Sequence, residues 1–589
     1  MIFGEGEMET PPQGLSLSDN ALVVLRERYL RRGENGQLEE PAAMLRRVAK
    51  AVAEPSRAYG ESPDFWAERF LDRMERLEFL PNSPTLMNAG QPGGQLAACF
   101  VLPIEDDLDS IFATLALVAR IHQTGGGTGF SFSALRPRGD RVRSTGGVSS
   151  GPLSFMEVFD YTTSVIRAGG RRRGANMAVL RVDHPDIEEF IEAKRIPTRL
   201  QNFNLSVGVT DEFFAAFDSA KPFALRNPRT GQAVASVDPV KLFDMIVESA
   251  WATGDPGLLF LDEINRHNPT PHLGSIEATN PCGEQPLLPY ESCTLGSLNL
   301  ARFAAGNDVD WARLKEAVRD AVVFLDNVVD ANCYPAAKVA EATRLTRKIG
   351  LGVMGLADLF AAIGVAYDSE QALALGGRIA EFLSSAAREA SRELGLRRGS
   401  FPAFEKSVWH TAGYAAMRNA TVTCVAPTGT ISMIAGVAGG IEPFFALATV
   451  RNVLGGKRLL EVNAAVEREL RALGEAGQAA MRALHERGSI RGVAGIPETL
   501  ARRFPVALEI APSMHVRMQA AFQRHIDAAV SKTVNLPHDA SPDAVREVYL
   551  LARSLKLKGV TVYRYGSRTG QVLSLVEEQA RPDCRECAV

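Results

Sequence analysis

Near the N-terminus, apolar residues recur about every 3.6 positions in three stretches, Leu22–Tyr29, Ala42–Ala53 and Phe65–Leu77. This period predicts three amphipathic helices, with Pro81 and Pro84 ending the block. From about residue 96 to 450 the pattern changes. Short apolar runs, among them Cys99–Pro103, Ala178–Val182, Leu205–Val209, Leu258–Phe260 and Thr421–Val425, alternate with helical stretches such as Leu314–Val329 and Gly376–Leu394. That alternation predicts βα units and an α/β fold with a mostly parallel sheet or barrel. A further helix is predicted over 459–473, with Val462, Val466, Leu470 and Leu473 on one face. Gly559–Tyr563 reads as the last strand, and after Leu575 the chain turns polar, as a mobile tail does. The expected organisation is a helical region over 1–80, a main body over 81–570 and a tail over 571–589.

Composition narrows the function classes. With 46% apolar and 23% charged residues and a net charge of −4 across 589 residues, the chain carries no electrostatic footprint for nucleic acid or an anionic membrane. Met1–Gln13 has neither a basic nor an apolar signal region. The long uncharged run Asn419–Ile441 is broken by Pro427, Gly429, Gly436 and Gly439, so it reads as buried loop and strand. A cytoplasmic location is expected.

Seven cysteines are too few for a disulfide scaffold. The densest chemistry lies in Asn280-Pro-Cys-Gly-Glu-Gln, where Asn280, Cys282 and Glu284 alternate and so face one way in an extended segment. A thiol, a base and an amide donor there can address adjacent atoms of one small substrate. Cys99 sits in a strand pattern, and Cys293 ends the loop that follows Cys282. Spacing alone does not pair them, and packing is the simpler reading for either one. Packing is also the expectation for Cys333 and Cys424. Cys584 and Cys587 make half of a zinc site with no second pair nearby, which favours thiol–disulfide exchange on a tail.

Three loops have phosphate-binding composition: Asn82-Ser-Pro-Thr85, Thr124-Gly-Gly-Gly-Thr-Gly129 and Pro427-Thr-Gly-Thr-Ile-Ser432. None fits a P-loop or a dinucleotide-binding fingerprint. The run Arg171-Arg-Arg-Gly-Ala-Asn-Met177 after Gly169-Gly170 reads as a solvated face or a hinged loop. The nine histidines lack Glu-x-x-His spacing, so no protein-bound catalytic metal is expected.

Taken in order, these segments resemble ribonucleotide reductase large subunits, most of all the adenosylcobalamin-dependent class. The carriers are Asn82 to Gly90, the Cys99 strand followed by Asp106-Asp-Leu-Asp-Ser-Ile, Thr124 to Gly129, Gly169 to Met177, Asn280 to Leu287, Ala426 to Ser432 and Ser531 to Pro537. They span roughly residues 15 to 575. The resemblance implies a ten-stranded α/β barrel of two five-stranded parallel halves, with the radical cysteine on a loop through its centre. It implies that Cys282 is the thiyl that takes the ribose 3′-hydrogen. Glu284 is then the base for the 3′-hydroxyl, Asn280 a substrate holder, and Cys99 with Cys293 the reducing pair. Cys584 and Cys587 become the shuttle that re-reduces that pair.

By the same resemblance, Ser83, Thr85, Pro427, Thr428, Gly429, Thr430, Ile431 and Ser432 surround the substrate phosphates, with Gly127 near the ribose. Asp106 and Arg136 fall at an allosteric nucleotide site. Arg171, Arg172, Arg173 and Asn176 belong to the loop that relays effector identity. The implied cofactor is adenosylcobalamin. The implied partners are a ribonucleoside diphosphate, a deoxynucleotide or ATP effector, a thioredoxin-like reductant and a second copy of the chain.

The alternatives are a large subunit served by a metal-containing radical partner and a silent nucleotide-binding paralogue. Against the first, Thr561-Val-Tyr-Arg-Tyr565 places Arg564 where an adjacent tyrosine pair is needed, and no glycyl-radical motif is present. Only about 80 residues precede Ser83. Substrate-specificity control without a dATP on/off switch is therefore expected, and a diphosphate substrate is expected because the short chain lacks the insertion of monomeric triphosphate enzymes.

Overall fold

The computed structural model describes residues 15–33, 35–142, 146–168, 172–453, 457–567 and 573–574. The three N-terminal helices form where their period places them: α1 (Asp19–Arg28), α2 (Pro41–Ala53) and α3 (Pro63–Glu75). Ser18 caps α1 by accepting from Ala21 N–H, and Ser62 caps α3 through Phe65 N–H, satisfying donors that the first turn leaves open. Their apolar faces, including Leu25, Val48, Val52, Phe70 and Met74, enter one core with Val322 and Phe324 of the long helix Trp311–Ala331. Each such side chain contributes roughly 1.5–3 kcal/mol by leaving water.

Five parallel strands make the first half of the barrel: β1 (Cys99–Val101), β2 (Gly127–Ser131), β3 (Asn176–Arg181), β4 (Phe203–Val209) and β5 (Gly257–Phe260). The second half runs parallel from β6 (Ser292–Asn299) to β7 (Ile349–Met354), then through the bridges Leu351↔Thr423 and Val425↔Val530 to β8 (Thr533–Leu536) and β9 (Gly559–Arg564). The halves meet antiparallel at two seams, β1 against β6 and β5 against β9, which close the wall. Two parallel halves of five are thus present if the 421–425 segment is counted, which makes isolated bridges rather than a continuous strand; Phe79–Pro81 adds an antiparallel strand beside β6.

One expected element is corrected. The stretch 459–473 is not one helix, because Lys457–Val462 pairs as a strand with Ala448–Val453. Asn463 then accepts from Ala465 and Val466 N–H and starts a helix confined to Ala464–Arg471. The apolar set that looked helical is split between a strand end at Val462 and a helical face at Val466 and Leu470. An asparagine cap between them marks the switch.

The helical region is fastened to the barrel through Asp326, which is fully buried and paired with Arg347, Arg398 and Arg418. Burial alone would raise its carboxyl, but the three guanidiniums hold it down to about 2. Arg398 also donates to Glu61, at 3.0 Å, and Arg418 to the Tyr59 hydroxyl. Among the described residues, no helix is long and apolar enough to cross a membrane.

Candidate active site

The loop that follows the two-residue strand Ala278–Thr279 is pressed against the inner face of β2. An added Cβ at Gly129 would lie 1.7 Å from Thr279 O, and one at Gly127 would lie 2.8 Å from Pro281 Cγ. Only glycine allows so close an approach. The Thr124–Gly129 motif is therefore not a phosphate loop: its second half is a strand that makes room for the cysteine loop, with Gly127 directly beneath Pro281.

The loop carries Cys282 at its tip, exposed to a large cavity of about 2390 Å³ lined from both halves of the barrel. Asn280 and Glu284 lie below, buried. Asn280 Oδ1 accepts from Gln285 N–H at 2.9 Å, which sets the turn, and Nδ2 donates to Cys99 Sγ at 3.1 Å. Burial pushes the Glu284 carboxyl up to about 7, and its Oε2 is buried without a hydrogen-bond partner. A carboxylate so placed is a base near neutral pH with one oxygen available to a ligand.

Cys99 and Cys293 are direct cross-strand partners at the β1–β6 seam. Such partners have Cα atoms about 4.5–5.5 Å apart, within the range a disulfide spans. Both are free thiols, and burial, reinforced for Cys99 by the neighbouring Glu284, pushes both well above an ordinary cysteine. They are therefore thiols, not thiolates, at neutral pH and can deliver protons as well as electrons. Cys424 shares their core, as expected of a packing residue. Cys333 does not: it is exposed, because the chain leaves the long helix at Asn332 and turns outward.

Of the loop 427–432, Pro427, Gly429, Thr430 and Ser432 line the cavity. Thr428 has φ +53° and its hydroxyl accepts from Gly440 N–H at 2.8 Å, so it braces the loop. Ile431 opens the five-residue helix Ile431–Ala435 and is buried. Ser83 bonds the Tyr29 hydroxyl at 2.7 Å. Thr85 is a correction: it is fully buried and its hydroxyl donates to Leu96 O at 3.0 Å, so it fixes the turn and presents nothing to a phosphate.

Asp106 and Arg136 form an ion pair at 2.8 Å near the start of α4 (Leu108–Gln123). Arg172 and Arg173 pair as a short strand with Arg167–Ala168. Asn176 is a second correction: it opens β3, fully buried, accepting from Thr128 Oγ1 at 2.7 Å and donating to Thr163 Oγ1 at 2.9 Å. It belongs to the barrel wall, not to a hinged loop. Arg171, Cys584 and Cys587 lie outside the described residues.

Sequence reasoning passed over Arg28, Asn299 and Arg302, which all line the cavity. A lone arginine or asparagine has no spacing signal, and only the fold shows where it ends up.

Comparison with known proteins agrees with this geometry. The family model described as ribonucleotide reductase, barrel domain, matches residues 97–563, and that for the all-alpha domain matches residues 15–94. A vitamin B12-dependent ribonucleoside-diphosphate reductase of Mycobacterium tuberculosis (strain ATCC 25618 / H37Rv) is 55% identical over 563 residues, covering 95% of this chain and 79% of the relative. One of the same description from Thermoplasma acidophilum is 46% identical over 645 residues, covering 99% and 84%. Among solved structures, the alpha subunit of an Actinobacillus ureae class Id ribonucleotide reductase superposes with a TM-score of 0.76 at 24% identity, covering 93% of this chain and 97% of that one.

Proposed function

The chain belongs to the ribonucleotide reductase family, and from that premise we propose that it reduces ribonucleoside diphosphates to 2′-deoxyribonucleotides in a vitamin B12-dependent reaction. The observation that carries the mechanism is the gathering of three functions around Cys99: an exposed thiol at Cys282, a buried base at Glu284 and a buried dithiol at Cys99 and Cys293.

The cavity fits an adenosylcobalamin beside a nucleotide. Drug-sized ligands occupy roughly 300–1,000 Å³, and this cavity is well over twice that, with Cys282 on its wall. Residues of β5 and β9, among them Leu258, Val560 and Tyr563, line the cavity and would hold the cofactor. No histidine lines it among the described residues, so the group would be held by its periphery. When bound, it supplies the radical that oxidises Cys282.

Cys282 as a thiyl takes the 3′-hydrogen of the ribose, and Glu284 accepts the 3′-hydroxyl proton through its unpartnered Oε2. The electron density this releases expels the 2′-hydroxyl, which leaves as water on a proton from the Cys99–Cys293 pair. The pair gives two electrons and ends as a disulfide, and Cys282 returns its hydrogen to C3′. Asn280, bonded to Cys99, holds base and reductant in register. A cytoplasmic thioredoxin-like protein then restores the dithiol by way of the C-terminal cysteines.

Arg564 stacks on Trp251 at 4.2 Å and donates to the carbonyls of Trp251 and His538. The adjacent tyrosine pair of a partner-driven enzyme is thus replaced by a residue committed to the barrel's outer packing. The test is anaerobic reduction of CDP with dithiothreitol and an effector, with and without adenosylcobalamin. Turnover only with the cofactor is expected; turnover restored instead by a metal-loaded partner would overturn the radical source.

The active form is a homodimer. Leu108 and Phe112 on α4, with Tyr161 and Val165 on the neighbouring α5 (Pro152–Val165), leave large apolar side chains exposed at helical spacing. Asp106, which pairs with Arg136, precedes the start of α4, and this supports an effector site at the same face. Phe112→Asp with Tyr161→Asp is expected to give a monomer by light scattering that has lost its effector response. A dimer of unchanged mass would place the interface elsewhere.

A further inference from the structure

A second group of cavity residues is built like an anion site. Arg302 is half-buried and lines the cavity, yet its side chain makes no hydrogen bond or ion pair among the described residues. The acid nearest in field, Glu78, is already held by Arg73 at 2.7 Å and by Arg313 at 3.2 Å. Buried or half-buried guanidiniums are ordinarily paired, because losing water without a counter-charge is unfavourable. One turn earlier, Asn299 is fully buried on the same wall. Its Oδ1 accepts from Ala301 N–H at 3.2 Å, which turns Nδ2 away, and Nδ2 is buried without a partner. A free cation and an orphan N–H donor thus share one turn, Asn299–Phe303.

That turn packs beside the 427–432 loop. An added Cβ at Gly355 would lie 2.9 Å from Asn299 Oδ1 and 3.2 Å from Val437, and Val437 N–H donates to Ser432 O at 3.0 Å. Helix α1 packs on the helix Ile431–Ala435, and Arg28 at its end donates to Thr430 Oγ1 at 3.4 Å. The loop itself is uncharged, and Asp358, which lines the same cavity, accepts from Ala438 N–H at 2.7 Å. Arg28 thus reaches the neutral loop of hydroxyls and amides directly, while Arg302 lines the same cavity from the turn that carries Asn299.

We propose that Arg302 and Asn299, together with Arg28, form a phosphate subsite completed by the N-terminal helical region. Its ligand is the terminal phosphate of the nucleoside diphosphate, and this rests on the reading that the cavity takes that substrate. Arg302 gives a charge-assisted hydrogen bond in a fixed direction, and Asn299 Nδ2 gives a neutral one. A phosphate is also present in the nucleotide tail of a cobalamin, and the two sources share this chemistry.

The test uses the full chain with Arg302→Gln, Arg28→Gln and Arg302→Lys, comparing CDP with CMP. Losing one charge-assisted bond is expected to raise KM for CDP about tenfold or more. CMP, which lacks the terminal phosphate, is affected far less, so the preference for CDP collapses. Lysine at 302 restores part of it. Equilibrium dialysis of adenosylcobalamin distinguishes the sources: a weakened cofactor with unchanged CDP kinetics assigns the subsite to the cofactor's phosphodiester. Unchanged affinity for both ligands overturns the proposal. If the unaltered chain does not reduce CDP at all, the underlying reading has failed instead.

Discussion

Replacing Cys282 by serine is expected to abolish ribonucleotide reduction, by a factor on the order of 10⁵ or more, with nucleotide binding retained. The thiol is chosen because S–H and ribose C–H bonds are close in strength, so hydrogen passes in either direction. A serine O–H is much stronger, and the resulting variant has no way to start. The substitution is nearly isosteric at a side chain exposed to the cavity, so neither the loop nor its seat on Gly127 and Gly129 is disturbed. CDP turnover in the presence of adenosylcobalamin measures the loss, and dialysis of CDP supplies the control. Persistent turnover would show that the hydrogen is taken by another group.

The second large effect belongs to Glu284. Removal of a positioned general base costs about 10²–10⁴ in rate, and Glu284→Gln is expected to fall in that range. The same residue sets a pH dependence. Burial raises the carboxyl to about 7, so it is protonated below that pH and ionised above it. The ionised form is the base, so kcat rises as pH rises through about 7 and falls on the acid side. In Glu284→Gln the residual rate should lose this acid limb while keeping any other pH dependence. A variant whose acid limb is unchanged would show that a different group titrates.

Much of this site could be read before any coordinates. The alternation of Asn280, Cys282 and Glu284 survives as three groups along one loop, because a short extended segment transmits spacing directly into space. The α/β alternation likewise predicted a mostly parallel sheet or barrel, and the resemblance narrowed it to the barrel. Pairing Cys99 with Cys293 was different, since nearly two hundred residues separate them and only the antiparallel seam makes them neighbours.

The errors share a cause. Thr85 and Asn176 lie in motifs rich in hydroxyls and amides, and such groups bond the chain's own backbone as readily as a ligand. The triple-glycine motif has the composition of a phosphate loop, but Gly127 and Gly129 answer to the close approach of the cysteine loop. The helix expected over 459–473 failed because a strand carrying Leu459, Leu460 and Val462, followed by an apolar helical face, imitates a continuous period. Arg302 was invisible for the opposite reason: its significance is the absence of a counter-charge, and absence has no motif.

The cluster around Asp326 has a consequence for how the molecule comes apart. Tyr59 and Glu61 reach it from the helical region, while Arg347, Arg398 and Arg418 reach it from the barrel. Pulling the helices away would take Glu61 from Arg398 and Tyr59 from Arg418 and would open the apolar core that the helices share with Trp311–Ala331. The helical region and the barrel therefore melt as a single cooperative unit. Arg28, which α1 brings to Thr430, therefore keeps its place as long as that shared core does.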